Sequence, residues 1–227
     1  AAYLVEKYSG LPYTEFVQTR ILDSLGMKST WFTYKDIPED RRLPGHRKRK
    51  DSWEPFFKGD PKIGGSGHYF AVDAGLYSTA GDMFLWHQMF LNGGEYGGVR
   101  LLSEKSVREM TRNQTGDAQL DEEMKNFVWG LTWKVVHEPE GITAGLSKGS
   151  FGKGGAGNSI WADPSTKTLY IVMQNISGGD HTLGMQAVLK TAGAALTALA
   201  ETGFAPDSEA YRNGLAFLLE TLQPDGS

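Results

Sequence analysis

Apolar side chains recur at helical spacing through the first half of the chain and at alternate positions after residue 126. Tyr3, Leu4, Val5 and Tyr8 begin a helix that Ser9-Gly10 and Pro12 stop. Residues 13–24 set Phe16, Val17, Ile21 and Leu22, with Leu25 beyond, on one helical face, and Gly26 ends the run. Ser78-Thr79 and Asp82 open a third helix, Met83, Phe84, Trp86, His87, Met89, Phe90 and Leu91 fill it, and Asn92-Gly93-Gly94 closes it. Ser103 caps a short helix running to Met110. From Phe127 the period drops to two: Phe127, Trp129, Leu131, Trp133 and Val135 read as one strand, and 158–163 and 168–175 as two more joined by the turn Asp163-Pro164-Ser165-Thr166. Residues 181–201 and 207–222 return to helical spacing.

Helices followed by antiparallel strands and a covering helix define an α+β layout. The expected organisation is a helical region at 1–125, sheet strands plus a helix at 126–203, and a terminal helical extension at 204–227. Residues 33–68 hold four prolines and five glycines and read as a long irregular excursion. The first helix has no N-cap residue before it, so the chain is expected to start inside an element and to be a fragment of a longer protein.

Composition excludes more than it assigns. The 227 residues carry a net charge of −4, which gives no general attraction to nucleic acid or an anionic membrane. Arg41-Arg42 and His46-Arg47-Lys48-Arg49-Lys50 form one basic run, read as a solvated loop in preference to a polyanion-binding patch. The absence of cysteine removes disulfides, thiol nucleophiles and thiolate metal sites. No apolar run reaches the roughly 18 residues of a membrane span, and compartment is left open. The five histidines show no metal-ligand spacing, so neither a metal nor an organic cofactor is expected; His87 and the tryptophans at 129, 133 and 161 read as packing residues.

The stretch GLSKGSFGKGGAG, residues 145–157, carries four overlapping motifs. Gly152, Gly154 and Gly157 spell a dinucleotide fingerprint, but strand, turn and strand follow where a helix is required. Gly145, Ser147 and Gly149 spell a nucleophile elbow, with Asp163 and His181 downstream in α/β-hydrolase order; again no helix follows the serine. Ser150 and Lys153 spell S-x-x-K, which needs a helical turn that the surrounding glycines oppose; in a strand, positions three apart face opposite sides. Lys153-Gly154-Gly155 on a glycine-rich edge strand fits its context. There a lysine supplies a fixed charge and a backbone N–H beyond it serves as an oxyanion donor. On these residues alone, a surface lysine on a glycine-rich hairpin stands level with that reading.

Three stretches settle the balance. L-G-M-x-x-T-x-F within 9–32, G-L-x-S-T-x-x-D within 74–110, and the glycine-rich strand before W-A-D-P within 151–175 together resemble the serine β-lactamase-like family. That family holds class C β-lactamases, D-alanyl-D-alanine carboxypeptidases, D-aminopeptidases and esterases. The resemblance implies a β-lactamase/transpeptidase-like fold and acyl-enzyme chemistry on an ester, amide or D-amino-acid peptide. By position, Lys153-Gly154-Gly155 matches the family's K-T-G or H-x-G strand, Ala156 the oxyanion-hole N–H, and Ala74 and Gly75 a wall of the substrate pocket.

The resemblance also places the S-x-x-K helix, the Y-x-N motif and the first strands upstream of residue 1. The chain is then expected to be the C-terminal part of such a hydrolase, inactive without the upstream part of the same polypeptide. Gly154 stands where K-T-G has a threonine, which removes a hydroxyl able to bind a β-lactam carboxylate and points to the esterase and peptidase side. A non-catalytic binding or assembly module of the same fold is the alternative, and an α/β-hydrolase with Ser147 as nucleophile a distant third.

Overall fold

A computed structural model describes residues 1–49, 52–56, 76–116, 126–140, 143–155, 158–173 and 176–177. Helix α1 (Ala2–Ser9) ends on Gly10, whose φ of 72° only glycine adopts cheaply. Helix α2 (Tyr13–Val17) continues through one π turn (Gln18–Leu22) into α3 (Asp23–Leu25), closed by Gly26 at φ 73°. The π turn suits the sequence: Val17 and Leu22 lie five apart, and a turn widened by one residue keeps both on the buried side. Helix α4 (Ala80–Leu91) starts where the Thr79 hydroxyl accepts the Asp82 N–H at 3.3 Å, and α5 (Glu104–Thr111) where Ser103 accepts the Ser106 N–H at 3.0 Å.

Five antiparallel strands form the main sheet in chain order: β5 (Phe127–Trp129), β6 (Lys134–Val136), β7 (Phe151–Gly155), β8 (Asn158–Asp163) and β9 (Thr168–Val172). Register puts Val135, Phe151 and Ala162 on one face, where they join Val17, Leu22, Leu25, Met27, Met89, Phe90, Leu91, Val107 and Trp133 in the larger core. The Phe90 ring lies 5.0 Å from Trp133, and Trp133 lies 5.3 Å from Phe151, so α4 is seated on the sheet through aromatic edges. The other face carries Phe127, Val136, Trp161 and Tyr170, with Trp161 stacked on Phe127 at 5.4 Å.

Two sequence expectations are corrected. Residues 127–135 make two strands rather than one. Gly130 N–H bonds the Trp133 carbonyl at 2.9 Å and Thr132 takes φ 71°, closing a turn within the alternating run. The alternation continues across this turn by count, so periodicity alone could not reveal it. The excursion at 33–68 is also not wholly irregular. Within it β1 (Gly45–Arg49) and β2 (Ser52–Phe56) pair antiparallel, and β1 pairs in parallel with β10 (Ile176–Ser177). Residues 46–49 of the basic run are therefore strand. Its charges hid the pattern, because backbone ladders and cross-strand partners such as Arg47 opposite Glu54 hold it without apolar alternation. Between α4 and α5, β3 (Glu95–Tyr96) and β4 (Val99–Arg100) turn on Gly97 and Gly98, both at positive φ. The helices expected at 181–201 and 207–222 lie outside the described residues.

Candidate active site

Lys153 sits at the middle of β7, exposed, and the pleat puts it on the same face as Phe151, the face that receives α4. No carboxylate among the described residues pairs with its ammonium. The expected edge strand is found only in part. In the sheet β7 is central, but β6 pairs with it no further than Gly152, and among the described residues no strand pairs with 153–155 on that side. On the other side they pair fully with β8.

The glycines answer to β8. A Cβ at Gly152 would strike the Ile160 carbonyl oxygen and approach the Trp161 ring at 2.6 Å. A Cβ at Gly154 would lie 2.7 Å from the Asn158 carbonyl oxygen. Gly152 and Gly154 are thus required by close packing on the face opposite Lys153. Gly155 is the register partner of Asn158. Ala156, Ala74, Gly75 and His181 lie outside the described residues.

The two serines of the 145–157 stretch differ in their surroundings. The Ser147 N–H donates to Asp163 Oδ2 at 3.0 Å, while Oδ1 accepts the N–H groups of Ser165 at 2.9 Å and Thr166 at 3.2 Å. Asp163, 1% exposed, is a backbone staple joining this loop to the β8–β9 turn. Ser150 is fully buried, its Oγ has no hydrogen-bond partner among the described residues, and it stands on the sheet face opposite Lys153. Strand β7 follows these serines, which removes the helix that the elbow, the S-x-x-K turn and the dinucleotide fingerprint each need.

The residues leading from Ala74 and Gly75 into α4 are held by polar bonds that sequence reasoning did not assign. Trp31 and Tyr77 exchange two backbone hydrogen bonds of 2.8 Å. Asp82 Oδ2 accepts the Ser29 N–H and the Thr30 hydroxyl, both at 2.7 Å, and Thr30 Oγ1 lies 2.8 Å from Ser78 Oγ. The motifs around Thr30 and Asp82 are therefore two halves of one bonded block. Their joint appearance was the only signal in the sequence.

His87 faces the core. Its Nδ1 lies 2.7 Å from the Met83 carbonyl oxygen and its ring meets Trp133 at 5.4 Å. Burial pulls its pKa down to about 4, with the carbonyl bond opposing. Among the described residues no three potential ligands gather to hold a metal. A cavity of about 220 Å³ opens between α5, the end of α4, Phe151 and Pro164; none of the site residues named above lines it.

A helical layer on one face of an antiparallel sheet, with a lysine-bearing strand beside it, is consistent with the β-lactamase/transpeptidase class of fold, which the comparisons support. Residues 1–194 match the family model described as Beta-lactamase. The chain belongs to this family of serine β-lactamases and penicillin-binding proteins. It is 31% identical over 152 residues to a "Putative D-alanyl-D-alanine carboxypeptidase" of Salmonella schwarzengrund, covering 59% of this chain and 32% of that one.

Solved structures agree on the fold. EstCE1, "a hydrolase with promiscuous acyltransferase activity", matches with a TM-score of 0.66 at 18% identity over 83% of this chain and 53% of its own. D-amino acid amidase from Ochrobactrum anthropi SV3 matches at 0.59, with 21% identity over 89% and 55%. The octameric penicillin-binding protein homologue from Pyrococcus abyssi matches at 0.59, with 20% identity over 92% and 42%. The chain spans about a third of the curated relative's length and about half of these structures.

Proposed function

We propose that this chain forms the lysine-bearing wall of a serine hydrolase whose nucleophile is carried upstream in the same polypeptide. One observation carries the assignment: Lys153 stands exposed on β7, facing the helical layer, with no described strand beside it past Gly152 on the β6 side, while Ser150 is buried and Ser147 is tied to Asp163 by its backbone N–H. In the complete protein an upstream serine Oγ attacks the acyl carbonyl, and the leaving group departs from a tetrahedral intermediate. Water then attacks the acyl-enzyme and releases the acid. Lys153 holds the anionic end of the substrate, and the Ala156 N–H donates to the oxyanion together with the nucleophile's own N–H. The β6-side edge at residues 153–155 accepts the substrate's extended portion, with Ala74 and Gly75 as the facing wall. The substrate is an ester, an amide or a D-amino-acid peptide. The names of the relatives and the lack of a hydroxyl at Gly154 both favour this over a β-lactam.

A fluorophosphonate serine probe, with the adduct mapped by mass spectrometry, tests the assignment. The 227-residue chain should stay unlabelled, and a polypeptide extended upstream should take one adduct on an S-x-x-K serine. Stoichiometric labelling of Ser147 or Ser150 overturns it. An extended protein that takes no label is instead a binding module.

A further inference from the structure

We propose that the cavity beneath α5 binds a free α-amino acid with an apolar side chain. The side chain lies against Phe90, Val107 and Phe151, and the two charged ends of the amino acid meet Glu104 and Arg108 at the mouth. Every residue lining this space belongs to the described segments, and the site does not depend on an upstream serine.

Helix α5 turns a single stripe to the cavity. Glu104, Val107, Arg108 and Thr111 stand at the i, i+3, i+4, i+7 spacing of one helical face. A helix seated on a core normally fills that stripe with apolar residues. Here Val107 is its one apolar member, so α5 stands over the sheet with a space of about 220 Å³ beneath it. The opposite walls are apolar: Phe90 and Phe151, with ring centroids 6.2 Å apart, then Leu91 and Pro164. The Thr111 hydroxyl donates to the Val107 carbonyl at 2.9 Å, which commits its proton to its own helix. The interior therefore selects by shape and apolar contact.

Size and charge define the occupant. The space exceeds the roughly 150 Å³ of an apolar cavity that takes up benzene, and falls short of the roughly 300 Å³ at which drug-sized pockets begin. It has room for one phenyl or branched alkyl group and none for a peptide. At the mouth Glu104 and Arg108 form an exposed ion pair at 3.5 Å. Such a pair contributes little by itself, so exchanging it for two contacts to a ligand costs little. A simple carboxylate brought to Arg108 would meet the Glu104 charge beside it, and a simple amine brought to Glu104 would meet Arg108. An α-amino acid carries both charges and sets its ammonium on Glu104 and its carboxylate on Arg108.

Calorimetric titration of the 227-residue chain with leucine and phenylalanine, each as both enantiomers, tests the site. At least one should bind saturably. Against the tighter binder, three analogues should each be weaker by about tenfold or more: the acid without its ammonium (4-methylpentanoate or 3-phenylpropanoate), the amine without its carboxylate (3-methylbutylamine or 2-phenylethylamine), and alanine. Glu104→Gln and Arg108→Gln, both at exposed positions, should each weaken binding by a similar factor. Val107→Phe, which fills the space, should abolish it; should that variant fail to fold, the two exposed substitutions carry the test. Lys153→Ala should bind as wild type does. Absence of saturable binding overturns the site. An acid or amine that binds as tightly as the amino acid overturns the assigned ligand. Affinity unchanged in both Glu104→Gln and Arg108→Gln, or lost in Lys153→Ala, puts the ligand elsewhere and overturns the proposal as well.

Discussion

Gly154 separates two accounts of the glycine-rich strand by the sign of one substitution. If the glycine served only to admit substrate, alanine there would be harmless in the free protein. It would even stabilise the fold by about 0.4–1 kcal/mol, through the lower entropy of the unfolded chain. The structure predicts the reverse. The new Cβ falls 2.7 Å from the Asn158 carbonyl oxygen and 3.5 Å from Ser159 Cα. The first distance is below any ordinary carbon–oxygen contact. The oxygen belongs to backbone in the β7–β8 ladder, so it has little room to retreat. Overpacking of this kind costs about 1–3 kcal/mol, which for a chain of this size is a fall of roughly 2–10 °C in Tm. Urea unfolding of Gly154→Ala, followed by the fluorescence of the buried Trp161, measures it. A variant as stable as wild type, or more so, would refute the steric account. The same Cβ is shared by threonine, so Gly154→Thr should lose stability comparably.

His87 makes stability pH-dependent with a defined sign. Its pKa falls from an ordinary 6.5 to about 4 on folding, so between these values the unfolded chain binds more protons. Stability is complete above about pH 6.5 and is lost as pH falls toward 4, by on the order of 3 kcal/mol at the limit. Unfolding of wild type and His87→Leu at pH 4.5 and 7 should show the slope in the first and its loss in the second. Lys153→Ala, at an exposed position, should change stability by less than about 0.5 kcal/mol. It should lower kcat/KM of the upstream-extended hydrolase by about 10- to 100-fold, read by steady-state ester hydrolysis.

The local elements were legible where a strong local signal coincided with burial. The glycine stops at Gly10 and Gly26, the hydroxyl caps at Thr79 and Ser103, and the strand at β8 stand where the sequence predicts them, because caps and turns are decided within a few residues. The turn at Thr132 was not legible. It falls inside an unbroken alternation, and what closes it is a hydrogen bond within the hairpin together with the last carbonyls of α5, as Leu131 N–H bonds the Met110 carbonyl. The basic strand β1 escaped for a related reason, since its partner β10 is more than a hundred residues away and its side chains carry no apolar period.

The site divides along the same line. By itself the sequence determined the α+β class and the family resemblance, because each is a matter of residue type and spacing. It also weighed against the three competing motifs, since glycine-rich sequence followed by strands supplies no helix. Only the tertiary structure decided that β7 is paired along its whole length on one side and, among the described residues, only as far as Gly152 on the other. It likewise decided that Trp161 and the Asn158 carbonyl require Gly152 and Gly154, and that Asp82 belongs to Ser29 and Thr30 rather than to its own helix. Those outcomes depend on which surfaces meet across the fold, and a chain's local pattern carries no record of the partner it will be packed against.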